Sequence, residues 1–317
     1  MRRKFTTKGT WRAALSSRGA LIAFVLWVML GGSIPVAIRF SNLELPPFWG
    51  ATMRLGVAAA IFWVFVLGRR AAVPTGRALI GTVLYGAIGI GASNAFAYWA
   101  LVRLQPGLAS VFLAFAPLLT LFFAAAHGLE LLNWRSLVGA SVAVVGILIV
   151  VGGGLGATLN VSALLALAVG VACTAEGAVL YKLFPRGEPV ATNAVASTTA
   201  AVLLAGLSLG LGEKWSVPAA ASTWVAFAYL AVFGTVIVFY LYLFVLVRWS
   251  ASTAAYGFVL LPVASVAISA WLTGEVVTIS FVAGAAVVLA GVWLGAIRSS
   301  SRATASERAT TVECVRC

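Results

Sequence analysis

Acidic side chains are almost missing from this chain: 8 of 317 residues are Asp or Glu, against 21 Lys and Arg and a single His. A membrane-embedded enzyme such as a lipid-modifying transferase needs clustered catalytic His, Asp or Glu near an interface, and this composition argues against one. The same scarcity leaves His127 without a second ligand at metal spacing, so no metal site is expected. Three cysteines, Cys173, Cys314 and Cys317, are too few for a disulfide scaffold and imply no redox role. The run from Gly152 to Gly156 lacks the Lys and Ser/Thr of a phosphate-binding loop, and no nucleophile elbow occurs. Transport driven by this chain's own ATP hydrolysis is therefore not expected, nor is any cofactor.

Charge of either sign is scarce: 9% of residues are charged, 62% are hydrophobic and the mean hydropathy is +1.07. A soluble domain carries roughly a quarter charged residues. These totals describe an all-α polytopic membrane protein, because a hydrocarbon core of roughly 30 Å needs about 20 apolar residues at about 1.5 Å rise each. The apolar runs are too continuous for barrel strands, which alternate over about 10 residues. Ten transmembrane helices are predicted, over 20–39, 47–67, 78–100, 106–126, 134–151, 161–183, 190–211, 222–246, 252–273 and 276–297. Pro46-Pro47, Pro74, Pro106-Gly107, the stretch Pro185 to Pro189 and the stretch Glu213 to Pro218 punctuate them. Residues 1–19 carry six Lys and Arg and no acid. They read as a cytoplasmic arm on anionic lipid headgroups of the bilayer rather than as a nucleic-acid-binding run, because helix 1 follows at once. Residues 298–317, rich in Ser, Thr and Arg, read as a disordered cytoplasmic tail.

What is present in quantity is repetition. Arg103, Pro117, Glu130, Gly139 and Gly146 return as Arg248, Pro262, Glu275, Gly284 and Gly291, each 145 residues later, and Gly89 with Gly234 extends the match upstream. In a chain so poor in acids and prolines, that recurrence signals a duplication, here of a first repeat over 20–151 and a second over 161–297. With ten helices and both termini inside, 17 Lys and Arg fall on the cytoplasmic side, 3 (Arg39, Arg103 and Lys214) fall outside, and Arg54 lies within helix 2. The displacement carries helix 4 onto helix 9 across five crossings, and an odd number turns the second copy over. Two inverted five-helix repeats are the arrangement from which secondary transporters build a midplane site by alternating access.

The residues resemble a known family at this point. Val36-Ala37-Ile38-Arg39, Arg54-Leu55, Ala116-Pro117-Leu118 and Gly128-Leu129-Glu130 are similar to an EamA domain, and Leu261-Pro262-Val263, Thr273-Gly274-Glu275 and Gly284-Ala285 to its second copy. Two such domains in tandem resemble the layout of the drug/metabolite transporter superfamily. The resemblance implies a ten-helix, plasma-membrane (inner-membrane) transporter of small metabolites, often an exporter of amino acids or related compounds. Glu176, in the interior of helix 6, departs from the usual pattern.

Glu176 is the carboxylate well inside a span, seven residues or about 10 Å from the cytoplasmic end at Leu183. A short acidic chain cannot snorkel that far, so it must face a cavity, carry a partner or hold a proton, and proton coupling is one expectation with packing the other. Arg54, about 10 Å below the outer end of helix 2, either snorkels to headgroups or meets an anion such as a substrate carboxylate. Asn94 and Tyr98 share one face of helix 3, and Trp27, Tyr240 and Tyr256 are candidate aromatic walls around a small-molecule substrate. Pro117 and Pro262 are candidate paired hinges, each removing an intrahelical hydrogen bond. Gly206 with Gly210, and Gly291 with Gly295, offer close-contact faces on helices 7 and 10, the latter a place for a homodimer. A non-transporting scaffold or sensor is the alternative, and it predicts no polar residue facing a central cavity.

Overall fold

The computed structural model describes residues 8–104, 106–131, 134–152, 160–273, 279–280, 282–288, 290–291 and 294, so the expectations for residues 1–7 of the basic arm, for Glu275, for Gly295 and for the tail lie outside the described residues. Among the described residues the regular structure is helical throughout. Six helices are long and apolar enough to cross a membrane: Gly19–Ser41, Pro47–Arg69, Gly76–Leu101, Val161–Leu183, Pro189–Gly210 and Ala221–Arg248.

We number the helices in chain order. The first, α1 (Lys8–Ser41), begins well before the predicted boundary, because Ala13, Ala14 and Leu15 favour helix and no proline intervenes before Pro35. Next come α2 (Pro47–Arg69) and α3 (Gly76–Leu101), then α4 in two pieces, Pro106–Leu113 and Ala116–Ala126. They are followed by α5 (Trp134–Gly152), α6 (Val161–Leu183), α7 (Pro189–Gly210), α8 (Ala221–Arg248) and α9 (Ala251–Thr273). Residues 282–288 are the longest described stretch of α10. The interior is rich in Ala, including Ala51, Ala58, Ala196 and Ala200 with no exposed surface, which lets helices approach closely where lipid offers no hydrophobic drive.

The duplication is visible as matched devices. Arg103 lays its guanidinium 4.1 Å from the Trp99 ring centre and donates to Trp99 O. At the matching end of α8, Arg248 lies 3.4 Å from the Phe244 ring centre and donates to Phe244 O. Arg39 from the end of α1 donates to Leu104 O, and Lys182 from the end of α6 donates to Trp249 O, so each cation satisfies a carbonyl just past a helix end. Both α3 and α8 carry a π-helical stretch, Tyr85–Ala92 and Val232–Ile237. Gly89 and Gly234 lie in them.

Glycines seal the seam between α5 and α10. A methyl group at Gly146 would sit 2.6 Å from Val288 N and 2.7 Å from Gly284 O; one at Gly291 would sit 2.5 Å from Ala143 N and from Gly139 O. Late α5 therefore meets early α10, and early α5 meets late α10: the two run antiparallel, and the contact is the same on both partners, as a two-fold axis across the helices requires. Gly291 thus spends its close approach on α5 within the chain. Nothing lies within 4 Å of a methyl at Gly206 or Gly210, whose face is open.

Candidate functional site

Seven helices drawn from both repeats line a partly open cavity of about 170 Å³. Its walls are mostly apolar, with Ile34, Ile90, Leu167 and Val238 among them, and Arg54, Ser93, Asn94, Thr174, Tyr85 and Tyr242 are among the residues that carry polar atoms.

Arg54 is 2% exposed and does not snorkel. Its Nε donates to Thr235 Oγ1 at 2.6 Å, its Nη2 to Gly234 O at 2.8 Å, and its Nη1 reaches Tyr98 Oη at 3.4 Å. Two of these acceptors come from the π-helical stretch of α8. A π turn disturbs the i→i−4 ladder and frees backbone carbonyls, and here the Gly234 carbonyl turns to the guanidinium. All three acceptors are neutral. The charge is held in place without being neutralised by any carboxylate among the described residues.

Asn94 also lines the cavity; its Nδ2 donates to Ile90 O at 2.8 Å, leaving Oδ1 for another donor. Tyr98 is fully buried behind the wall, where it steadies Arg54. Trp27 is on the wall, 2% exposed, and its ring meets Tyr242 at 5.0 Å and Phe258 at 5.1 Å between centres. Gly257 makes that seat, since a methyl there would collide with the Trp27 indole. The two other aromatic candidates stand apart from the cavity. Tyr240 packs towards the cluster of Phe62, Val66 and Ala194, and Tyr256 towards Ala114, Val259 and Val288.

Tyr242, Tyr85 and Phe258 fill the aromatic part of the wall that sequence reasoning gave to Tyr240 and Tyr256. The π stretch at Val232–Ile237 lies just upstream of Tyr242 on α8. It shifts the phase of everything downstream relative to a 3.6-residue wheel, and Gly234 among β-branched neighbours was the only trace of it in the sequence.

Glu176 does not line the cavity. It points to the end of α4, where its Oε1 lies 2.8 Å from His127 Nε2, with side chains 22% and 37% exposed respectively. The other carboxylate oxygen is buried without a partner. Arg54 and Glu176 are thus separate sites.

Pro117 occupies the first turn of the second piece of α4, just past the break at Ala114–Phe115, where a missing N–H costs nothing. Pro262 lies inside the unbroken α9.

The family model for the EamA-like transporter family matches twice, at residues 17–152 and 161–296. The chain belongs to the EamA-like transporter family. It is 28% identical over 269 residues to "Uncharacterized inner membrane transporter YedA" of Escherichia coli (strain K12), covering 84% of this chain and 85% of that one. It is also 29% identical over 283 residues to "Probable terminal-alkyne amino-acid exporter" of Streptantibioticus cattleyicolor, covering 87% and 92% of the two chains. A crystal structure at 20% identity superposes with a TM-score of 0.72 over 88% of this chain and 98% of that one, so the two share a fold. As an EamA-family protein with several apolar spans, the chain is a multi-pass membrane transporter rather than an enzyme.

Proposed function

We propose that this EamA-family chain is a secondary transporter that exports small metabolites such as amino acids across the inner membrane. It crosses ten times with both termini cytoplasmic, as two inverted five-helix repeats that rock about the shared cavity. The single observation that carries the reading is the cavity walled by both repeats, with an unneutralised guanidinium on its surface. The antiparallel glycine seam between α5 and α10 supports inversion: a two-fold axis that relates antiparallel spanning helices lies across them, in the membrane plane. The names of these relatives support export and an inner-membrane location.

In this reading Arg54 meets a substrate carboxylate, Asn94 offers a neutral polar contact, and Trp27 provides an apolar wall. Glu176 couples the cycle to protons from beside His127, outside the substrate cavity but on α6, the helix that contributes Leu167, Gly170, Val171 and Thr174 to it. Pro117 and Pro262 act as hinges. The polar atoms lining the cavity weigh against a scaffold or sensor. The test is uptake into proteoliposomes across a panel of amino acids and metabolites, with and without a pH gradient. Saturable uptake of at least one amino acid, altered by the gradient, is expected; no uptake of any member in either orientation would overturn the proposal.

A further inference from the structure

The cavity holds a positive charge, and no carboxylate among the described residues answers it. Acids elsewhere in the described structure have other work: Glu44, Glu188 and Glu213 each accept from backbone N–H groups at helix starts, Glu176 faces His127, and Glu130 has an interaction of its own away from the cavity wall. No described carboxylate lines the wall. The remaining polar groups are neutral: Ser93 Oγ donates to Gly89 O and Thr174 Oγ1 to Gly170 O, and Asn94 Oδ1 and Tyr242 Oη offer acceptors that carry no charge.

The rings do not form a cage for a cation. Trp27 and Phe258 meet edge to face at 90°, and Tyr242 lies 5.0 Å from the one and 5.6 Å from the other, so the three pack on each other as a cluster on one part of the wall. Cation recognition by aromatics needs an open face within about 6 Å of the charge. A substrate ammonium group would leave water for a wall with no counter-charge, while a carboxylate would find a guanidinium already oriented by three neutral acceptors.

Size narrows the class further. About 170 Å³ is small; sites for drug-sized ligands run from roughly 300 Å³ upward.

We infer that the site selects compact monocarboxylates with an apolar body, and that a substrate amino group weakens binding instead of strengthening it. This inference rests on the transport reading and deepens it by naming the charge rule of the cavity.

Three probes of nearly the same body isolate the rule: 4-methylpentanoate (an anion), leucine (the same acid carrying an ammonium group) and 3-methylbutylamine (leucine without its carboxylate). Equilibrium binding to the full chain in detergent is measured by calorimetry against empty micelles. The expected order is 4-methylpentanoate tightest, leucine at least threefold weaker, and 3-methylbutylamine at least thirtyfold weaker than the acid. Arg54→Gln should erase the preference for the acid over the amine, while Arg54→Lys, which keeps a charge but loses the fork, should retain part of it; monodispersity of each variant is checked alongside. Amine binding equal to or tighter than acid binding, or no binding of any of the three, overturns the inference. Because the amino-acid and metabolite uptake panel is scored separately, transport with the wrong charge order sinks the charge rule alone, and absence of uptake sinks the transport reading.

Discussion

The two repeats keep the same backbone irregularity and put it to different uses. In α3 the Gly89 carbonyl accepts from Ser93 of its own helix at 2.6 Å, and Gly89 packs against the backbone of Gly177 on α6. In α8 the Gly234 carbonyl accepts from Arg54, a charge delivered by the other repeat. The prolines diverge in the same way, with α4 broken just ahead of Pro117 and α9 continuous through Pro262. Duplication preserved the backbone device, and a few side chains made one copy a packing joint and the other a mount for a buried cation. What matters chemically sits where the copies differ.

The largest expected effect therefore falls on an asymmetric residue. Arg54→Gln removes the charge from the cavity and should lower transport of a carboxylate substrate tenfold to a hundredfold, given that a hydrogen bond to a charged group contributes about 1.5–3 kcal/mol. Thr199, which stands 145 residues on, spends its hydroxyl on Val195 O within α7, and Thr199→Ala should leave transport within about twofold. Initial uptake rates in proteoliposomes check both. Equal losses at the two positions would mean that the repeats share the work and that the contrast is false.

Second in size is Glu176→Gln. The substitution preserves shape and removes the carboxylate beside His127, and the response of transport to a pH gradient should be abolished while uptake without a gradient falls less than tenfold and insertion and folding persist. His127→Gln should alter the pH response without abolishing uptake. Flux measured across a series of external pH values separates the two, and a fully active Glu176→Gln protein with an unchanged pH profile would strip Glu176 of its coupling role.

Legibility in the sequence followed the same division. The helices were readable because apolar runs and prolines act locally, and the repeat because Arg, Pro and Glu are rare enough for spacing to mean something. Arg54, Asn94 and Trp27 could be singled out for the cavity, since polar or bulky groups inside a span need a reason. Which aromatics of α8 and α9 face the cavity, Tyr242 and Phe258 and not Tyr240 and Tyr256, depends on how these helices are rotated in the packed bundle, and composition does not encode that. The pairing of His127 with Glu176 spans 49 residues and depends on how α4 ends against α6, which no local pattern encodes.

Where the repeats agree, paired substitutions should give paired results. Gly146→Leu and Gly291→Leu each drive a side chain into the backbone of the opposite helix and should each cost about 1–3 kcal/mol, the usual range for overpacking. Thermal unfolding in detergent should show the two midpoints falling together. A loss at only one site would deny the two-fold seam and, with it, the main structural support for inverted repeats.

The smallest effects belong to two carboxylates that cross between repeats. Glu213, between α7 and α8, accepts from Phe48 N at 3.1 Å and Trp49 N at 2.8 Å at the start of α2. Glu44, between α1 and α2, accepts from Ala219 N at 3.0 Å and Ala220 N at 3.2 Å just ahead of α8. Each places negative charge at the positive end of a helix from the other repeat, worth about 0.5–1 kcal/mol where solvent is near. Glu213 is further tied by Ser208 Oγ at 2.7 Å, and the adjoining Trp49 and Trp215 rings stack at 4.2 Å, whereas the Glu44 contacts lie open to solvent. Glu213→Gln should therefore lower the unfolding midpoint more than Glu44→Gln, with raised salt shrinking the Glu44 effect first. The reverse order would mean that these crossings are governed by helix-end charge alone, with no contribution from the packing that surrounds one of them.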